Sequence, residues 1–158
     1  TEHVQFQFDG VMDMKIREVN ENKKQFISLL LLADEQENMI DRYLDNGTLY
    51  VGLFNGKPIA VCVTLNLDPN TVEIKNLAVD DEYRRHGYGR RMLEYVESQH
   101  SNKRFILGTG ETPSTLRFYE SCGYSYSHRI PNFFTDNYPA PIIEEGVTLR
   151  DMIYLEKQ

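Results

Sequence analysis

A basic segment with two glycines, near the middle of the chain, has the composition of a phosphate-binding loop. It reads RRHGYGRR over residues 84–91. An apolar run ending at Val79 comes before it and apolar residues at helical spacing follow it, which predicts a strand, a tight turn and a helix N-terminus. Backbone N–H groups at a helix N-terminus favour anions, glycine allows close approach of the backbone, and arginine offers forked donors to phosphate. The segment therefore predicts a site for a phosphorylated ligand.

Three residues of this segment also match a known motif. Arg84, Gly87 and Gly89, which follow the strand sequence NLAV of residues 76–79, resemble the acetyl-CoA loop of the GNAT-superfamily N-acetyltransferases. That loop has Arg or Gln, two further residues, and then Gly-x-Gly or Gly-x-Ala. Residues 132–152 are also similar to a bacterial branch of small GNAT proteins. The resemblance implies one acetyltransferase domain over residues 1–158, with acetyl-CoA as the acyl-donor substrate.

The resemblance also implies which residues contact acetyl-CoA. The backbone of Leu77–Val79 corresponds to the strand that hydrogen-bonds the pantetheine arm. Many family members place a cofactor-binding asparagine seven residues before the tyrosine of their second motif. Thr112 stands there, either as a hydroxyl contact or as a plain helix N-cap. His86 can face phosphate or solvent, and solvent is favoured. The implied cofactor-binding residues are Leu77, Ala78, Val79, Arg84, Arg85, His86, Gly87, Tyr88, Gly89, Arg90 and Thr112.

A tyrosine in the second half of the chain matches the second family motif. Tyr119 follows Phe118 and precedes Gly123-Tyr124, which is similar to the family pattern of Phe/Leu-Tyr followed after three residues by Gly-Phe/Tyr. In the family this tyrosine commonly protonates the departing CoA thiolate, and a tyrosine of pKa ~10 can donate a proton at neutral pH. The alternative is a core tyrosine stacked between helix and sheet. The intact spacing favours the acid.

A glutamate in the strand before the loop is the candidate base. An alkylammonium of pKa ~10 has no lone pair, so amide formation needs a neutral amine. Glu73 occupies the strand position at which several family members carry a glutamate that deprotonates the acceptor, directly or through water. An ordinary polar residue on a strand edge is an equal alternative.

Charge and hydropathy exclude several other classes. The net charge is −7 over 158 residues. A nucleic-acid-binding surface is basic, so that class is disfavoured, and the local arginines indicate a small polyanion as ligand. No apolar run approaches the ~20 residues of a membrane span and no signal-peptide pattern opens the chain, which predicts a cytoplasmic protein without a membrane partner. A homodimer is left open.

Cysteines and histidines carry no pattern of their own. Cys62 and Cys122 are too few for a disulfide framework. Neither is close in sequence to a base, which disfavours a covalent acetyl-cysteine route. His3, His100 and His128 lack metal-ligand spacing, so no metal site is expected.

Periodicity and turn residues predict the order β-α-α-β-β-β-α-β-α-β-β, which mixes hairpins with αβ crossovers. This order predicts an α/β fold with one mixed, mostly antiparallel sheet and helices on both faces, and GNAT domains have it too. Residues 130–146, rich in proline and aromatics, are predicted as an irregular loop across the fold, and Phe6 and Phe8 as a short extended piece. Strands are predicted over residues 14–19, 48–54, 57–67, 71–79, 104–109, 124–129 and 147–156, and helices after Asn20 or Asn22, over 35–44 and 87–100, and from Thr112-Pro113.

These features together predict an N-acetyltransferase that moves the acetyl group of acetyl-CoA to a primary amine by direct attack. The rival from another class is a non-catalytic CoA-binding sensor or interaction module, against which Tyr119 argues. The sequence does not name the acceptor: polyamine, aminoglycoside, amino acid and protein amine all remain open.

Overall fold

The computed structural model describes residues 14–158. The extended piece predicted at Phe6 and Phe8, and His3, lie outside these residues. The described helices, apart from single 3-10 turns at Lys23–Phe26 and Asp81–Tyr83, are α1 (Ile27–Ala33), α2 (Glu37–Ile40), α3 (Tyr88–Gln99), α4 (Pro113–Ser121) and α5 (Phe133–Asn137). The strands are β1 (Met14–Val19), β2 (Thr48–Phe54), β3 (Lys57–Asp68), β4 (Thr71–Val79), β5 (Arg104–Gly110), β6 (Ser125–Ile130), β7 (Ile143–Glu144), β8 (Val147–Thr148) and β9 (Met152–Lys157).

Seven of these strands form one mixed, mostly antiparallel sheet in the order β1-β2-β3-β4-β5-β9-β6, and β7 and β8 form a separate two-stranded sheet. The predicted fold class is therefore confirmed. The chain divides into two compact units: the first holds the described residues up to Asn66 together with Ile74–Ser101, and the second holds Leu67–Glu73 and Asn102–Gln158. The single domain over residues 1–158 stays a prediction. No helix within residues 14–158 has the length and apolar character needed to cross a membrane.

In the first unit, strand alternation sends apolar side chains to two helical layers. Tyr50 of β2 points to one face, where its ring lies edge-on to Tyr95 of α3 at a centroid distance of 6.0 Å. Its strand neighbours Leu49 and Val51 point to the other face and are fully buried. The unit therefore carries helices on both faces of its strands. The core on the second face contains Leu49, Val51, Val61 and Val63 of the strands with Leu30, Ile40, Tyr43 and Leu44 of the α1–α2 region.

Turn chemistry explains where the strands of this unit end. Asn55 and Gly56 join β2 to β3 with φ angles of 49° and 82°, which is the left-handed pair that a two-residue hairpin requires. The predicted hairpin is confirmed. The predicted helix over 35–44 is shorter, because after Ile40 the chain continues in hydrogen-bonded turns such as Tyr43 N–H to the Ile40 carbonyl at 3.1 Å.

In the second unit, β9 lies between β5 and β6 and is antiparallel to both. Helix α4 begins at Pro113, whose missing N–H costs nothing in a first turn. It ends before Gly123, whose φ of 98° stops it as predicted.

Two sequence predictions in this unit are wrong. Residues 130–146 are not all irregular, because they contain α5 and β7. The strand predicted over 147–156 is interrupted at Leu149–Asp151 by contacts with the preceding segment: the Leu149 N–H donates to the Ile142 carbonyl at 2.9 Å, and the Asp151 carboxylate accepts from the Asn132 N–H at 2.9 Å.

Candidate functional site

The loop between β4 and α3 is braced by its own polar groups. The Asp80 side chain accepts from the Glu82 N–H at 3.0 Å, capping the 3-10 turn. The Arg84 guanidinium bonds the Val79 carbonyl at 3.4 Å and lies 3.2 Å from the Asp81 carboxylate. These contacts fix how the chain leaves β4 and approaches the helix.

The two glycines of the loop differ in their backbone. Gly87 is the N-cap of α3 with φ 87° and ψ 6°, in the left-handed region that glycine adopts without strain. Gly89 lies inside the first turn of the helix and has no positive φ. Arg85 is also left-handed, with φ 65°. The backbone conformation at position 89 therefore does not require glycine.

The side chains of the loop divide into anchors and exposed charges. Tyr88 is buried, with its ring centroid 6.3 Å from that of Phe54 and 6.2 Å from that of Tyr83. Any contact of Tyr88 with a cofactor therefore goes through its backbone. Arg85, His86 and Arg90 are exposed, whereas Arg91 is half-buried over the Tyr95 ring. The exposed side chains make the start of α3 locally basic in an acidic protein.

The strand before the loop presents the three residues implied for the pantetheine arm. Ala78 is buried in the core of the first unit, and Leu77 and Val79 are half-buried. Because all three side chains are apolar, backbone groups are the only polar atoms that these residues can offer a ligand.

Glu73, the predicted base, is a buried carboxylate at 8% exposure. The Tyr154 hydroxyl of β9 donates to its Oε2 atom at 3.5 Å. Burial, and then the Glu73 charge, raise the pKa of Tyr154 to about 12, so this hydroxyl remains a donor. The alternative for Glu73 is an ordinary polar residue on a strand edge, and its burial makes this position unusual for one. Tyr154 was not anticipated from the sequence.

Tyr119, the predicted acid, lies in the last turns of α4. It is half-buried, and its ring centroid is 5.1 Å from that of Phe118 and 6.0 Å from that of Tyr124. Its carbonyl accepts from the Cys122 and Tyr124 N–H groups, both at 3.0 Å, which fixes the C-terminal end of the helix. The residue combines an anchored backbone with a ring that is not fully enclosed.

Thr112, the predicted cofactor contact or N-cap, takes the N-cap position through its backbone. Its carbonyl accepts from the Leu116 N–H at 3.1 Å, but its side chain makes no cap bond. The residue is 1% exposed, and the buried Oγ1 atom lacks a hydrogen-bond partner. The pKa of the nearby Glu145 carboxylate is lowered, chiefly by the Ser114 hydroxyl and to a smaller extent by the Thr112 hydroxyl. The Thr112 Oγ1 atom nevertheless does not reach hydrogen-bond geometry with that carboxylate.

The two cysteines are enclosed by the protein. Cys62 is completely buried and Cys122 is 8% exposed. Burial raises the pKa of the Cys62 thiol far above its ordinary value, which removes the thiolate that a nucleophile needs. Among residues 14–158, no three His, Cys, Asp or Glu side chains are grouped as a metal site.

Several known proteins similar to this chain in sequence or fold are acetyltransferases. A family model described as "Acetyltransferase (GNAT) domain" matches residues 45–126. The uncharacterized N-acetyltransferase YvbK of Bacillus subtilis (strain 168) is 31% identical over 150 residues, which are 92% of this chain and 97% of that protein.

Two solved structures show the same similarity in three dimensions. A GNAT family acetyltransferase from Elizabethkingia anophelis, with acetyl-CoA bound, is 34% identical with a TM-score of 0.87, and the match covers 92% of this chain and 98% of that one. The IAA acetyltransferase from Bacillus cereus ATCC 14579 is 33% identical with a TM-score of 0.85, covering 91% and 98%. This chain therefore belongs to the GNAT family of acetyltransferases.

Proposed function

We propose that this protein transfers the acetyl group of acetyl-CoA to a primary amine by direct attack. The observation that carries the proposal is the junction at Gly87, where a left-handed glycine opens a twelve-residue helix beside exposed basic side chains. Such a junction suits a pyrophosphate. The acetyl-CoA bound in the Elizabethkingia anophelis relative supports acetyl-CoA as the donor.

Acetyl-CoA would be held by backbone and charge. The N–H groups of Gly87–Arg90 and the side chains of Arg84 and Arg85 serve the pyrophosphate, and the Leu77–Val79 backbone serves the pantetheine arm. The unpartnered Thr112 hydroxyl also fits a cofactor contact, because leaving a buried polar group unsatisfied costs about 1–3 kcal/mol.

The chemical step has two proton transfers. The neutral amine attacks the thioester carbonyl carbon, forming the C–N bond and a tetrahedral intermediate, whose collapse breaks the C–S bond. Glu73 accepts a proton from the amine, directly or through water, and Tyr119 gives a proton to the departing thiolate. The products are the acetylated amine and CoA thiol.

Direct attack is supported by the state of the cysteines. An acetyl-cysteine intermediate requires an accessible thiolate, whereas Cys62 is completely buried and Cys122 nearly so. The amine itself is therefore the nucleophile in this proposal.

The test is a screen for release of the CoA thiol that depends on acetyl-CoA, over polyamines, aminoglycosides, amino acids and peptides, with mass spectrometry of the products. The panel also includes IAA, the compound in the name of the Bacillus cereus relative. The expected result is an acceptor heavier by one acetyl group. Tight acetyl-CoA binding without turnover on any acceptor would instead indicate a CoA-binding sensor or interaction module.

A further inference from the structure

Tyr154 is fixed in place by its neighbours on both sides of β9. Across the sheet it is paired with Gly108 of β5 and with His128 of β6. The His128 ring is stacked on the Tyr154 ring with a centroid distance of 4.8 Å and an angle of 1° between the planes. The ring therefore cannot tilt towards β6 without losing this contact.

Gly108 leaves the space that the Tyr154 ring occupies on the other side. A Cβ atom at position 108 would lie 3.0 Å from Cζ of Tyr154 and 2.8 Å from Sδ of Met152. Gly108 has no positive φ, so its backbone does not require glycine. The missing Cβ of Gly108 therefore provides space for the side chains of Met152 and Tyr154.

The result of this packing is that the phenolic hydroxyl meets a buried carboxylate. It lies 3.5 Å from Oε2 of Glu73, at the outer limit for a hydrogen bond. Such contacts in an enzyme without substrate are often long and shorten when the reacting groups bind. Glu73 is buried and Tyr154 is half-buried, so the tyrosine donor partly replaces the solvent that the carboxylate loses on burial.

A general base acts efficiently only when its oxygen atoms are aimed at the proton they remove. Glu73 has three rotatable side-chain bonds, and a donor on one oxygen restricts the plane of the carboxylate. We propose that Tyr154 is a positioning residue that orients the Glu73 carboxylate for the amine acceptor. This inference rests on the proposed function, in which Glu73 is the base.

The test is a double-mutant cycle with Tyr154→Phe and Glu73→Gln, using an acceptor found in the screen. Tyr154→Phe keeps the ring and its stacking on His128 and removes only the hydroxyl. We expect it to lower kcat about tenfold with the KM for acetyl-CoA and the melting temperature unchanged, and to lower kcat by less than about twofold when Glu73→Gln is already present, because interacting residues are not additive.

The matched control is Tyr50→Phe. Burial raises the pKa of Tyr50 to about 12, as it does for Tyr154, but the Tyr50 hydroxyl bonds Nε2 of His100 at 3.2 Å. Its kcat should equal that of the wild type. A second variant, Gly108→Ala, keeps both polar groups and displaces the ring, and it should lower kcat in the same direction as Tyr154→Phe.

The outcomes distinguish failure of the positioning role of Tyr154 from failure of the base assignment of Glu73. If Glu73→Gln lowers kcat and Tyr154→Phe does not, or if Tyr154→Phe keeps its full effect beside Glu73→Gln, the positioning role is overturned and Glu73 remains the base. If Glu73→Gln leaves kcat unchanged, the base assignment and the positioning role both fail, whereas acetyl transfer itself stands on the screen.

Discussion

At the scale of single residues, Tyr119 offers a substitution that separates catalysis from packing. Tyr119→Phe keeps the ring between Phe118 and Tyr124 and removes the hydroxyl. A thiolate of thiol pKa ~8.5 can leave unprotonated, so we expect the lower end of general acid catalysis, a fall in kcat of roughly a hundredfold. The KM for acetyl-CoA should change little. Steady-state kinetics and thermal unfolding of the same variant provide the measurement.

If Tyr119 is only a core residue, we expect the opposite effects on kcat and on the melting temperature. If the hydroxyl only completes the packing of α4, its loss lowers the melting temperature and leaves kcat at the wild-type value. An unchanged kcat therefore rejects the acid role, whatever the melting temperature does.

Glu73→Gln tests the base through the pH dependence of the reaction. Amines of pKa ~10 are mostly protonated at low pH, so a base matters most there. The variant should slow turnover most at low pH, with acetyl-CoA affinity unchanged in calorimetry because the proposal gives Glu73 no cofactor contact. A pH–rate profile that overlays that of the wild type would assign the proton to another group or to bulk water.

The sequence could name Glu73 and Tyr119 but not Tyr154, and the reason is physical. A motif can be recognised because the spacing of its residues is visible in the sequence. The residue that lies opposite on a neighbouring strand depends on the register of the strands, which the sequence does not show. Met152 and Tyr154 are predicted to share a face by alternation alone. That this face meets Gly108, and that the hydroxyl reaches Glu73, depends on the order of β4, β5 and β9.

At the scale of elements, valine substitutions at the two glycines before and within α3 should differ in their effect on stability. Gly87→Val places a side chain at φ 87° and strains the backbone, which lowers the melting temperature because a left-handed residue costs roughly 1–2 kcal/mol. Gly89→Val has helical backbone and no such strain. Both should weaken acetyl-CoA binding at least tenfold, about 1.4 kcal/mol, because in the proposed site the branched side chain would occupy the space of the phosphate.

Gly89→Ala is the matched control for this pair, because the family pattern accepts alanine at that position. We expect its acetyl-CoA affinity, measured by calorimetry, to stay near that of the wild type. Wild-type affinity in both valine variants, with the fold intact, would remove the phosphate-loop assignment.

The segment before β9 depends on a charge pair that acid should break. Asp151 accepts from the Asn132 N–H and from Nη1 of Arg129, each at 2.9 Å. The Asn132 N–H first, and then Arg129, lower the pKa of Asp151. A lowered pKa in the folded state means that the stabilisation is present above the unfolded pKa of ~3.9 and is lost as the pH falls through the folded value.

Asp151→Asn should therefore lower the melting temperature at neutral pH, and the difference from the wild type should shrink as the pH falls below ~4. Asp136→Asn, on the exposed side of α5, serves as the control and should show little difference at either pH. A gap between wild type and Asp151→Asn that stays constant into acid would contradict the role of the carboxylate charge.

Elements were predictable where local chemistry decides them. The bounds of β1 and β4 match the predicted ranges, and the Asn55-Gly56 turn fixes the hairpin of β2 and β3. The interruption at Leu149–Asp151 was not predictable, because residues 147–156 alternate well enough for one strand. It is the contacts with Ile142 and Asn132, which lie outside the alternating residues, that turn the chain.

At the scale of the whole molecule, the order of elements was sufficient to predict the class of sheet. Hairpins make neighbouring strands antiparallel, whereas a crossover connection through a helix allows two neighbouring strands to be parallel. The helix and hairpin between β6 and β9 were missed, since residues 131–146 are proline-rich and short elements there depend on packing of Phe133, Phe134 and Tyr138, which are half-buried. We expect the net charge of −7 to favour the approach of a cationic acceptor over an anionic one.

The complete burial of Cys62, in the middle of β3, makes this thiol a built-in reporter of global opening. A reagent can reach it only when the sheet separates, so its labelling rate in the native protein divided by that of the unfolded chain gives the free energy of opening. We expect rapid labelling of two thiols per chain in denaturant and very slow labelling of Cys62 without it. Fast labelling of Cys62 in the native protein would contradict a closed sheet. Because Cys122 is buried as well, we expect the protein's own thiols to add little signal to a colorimetric assay of released CoA.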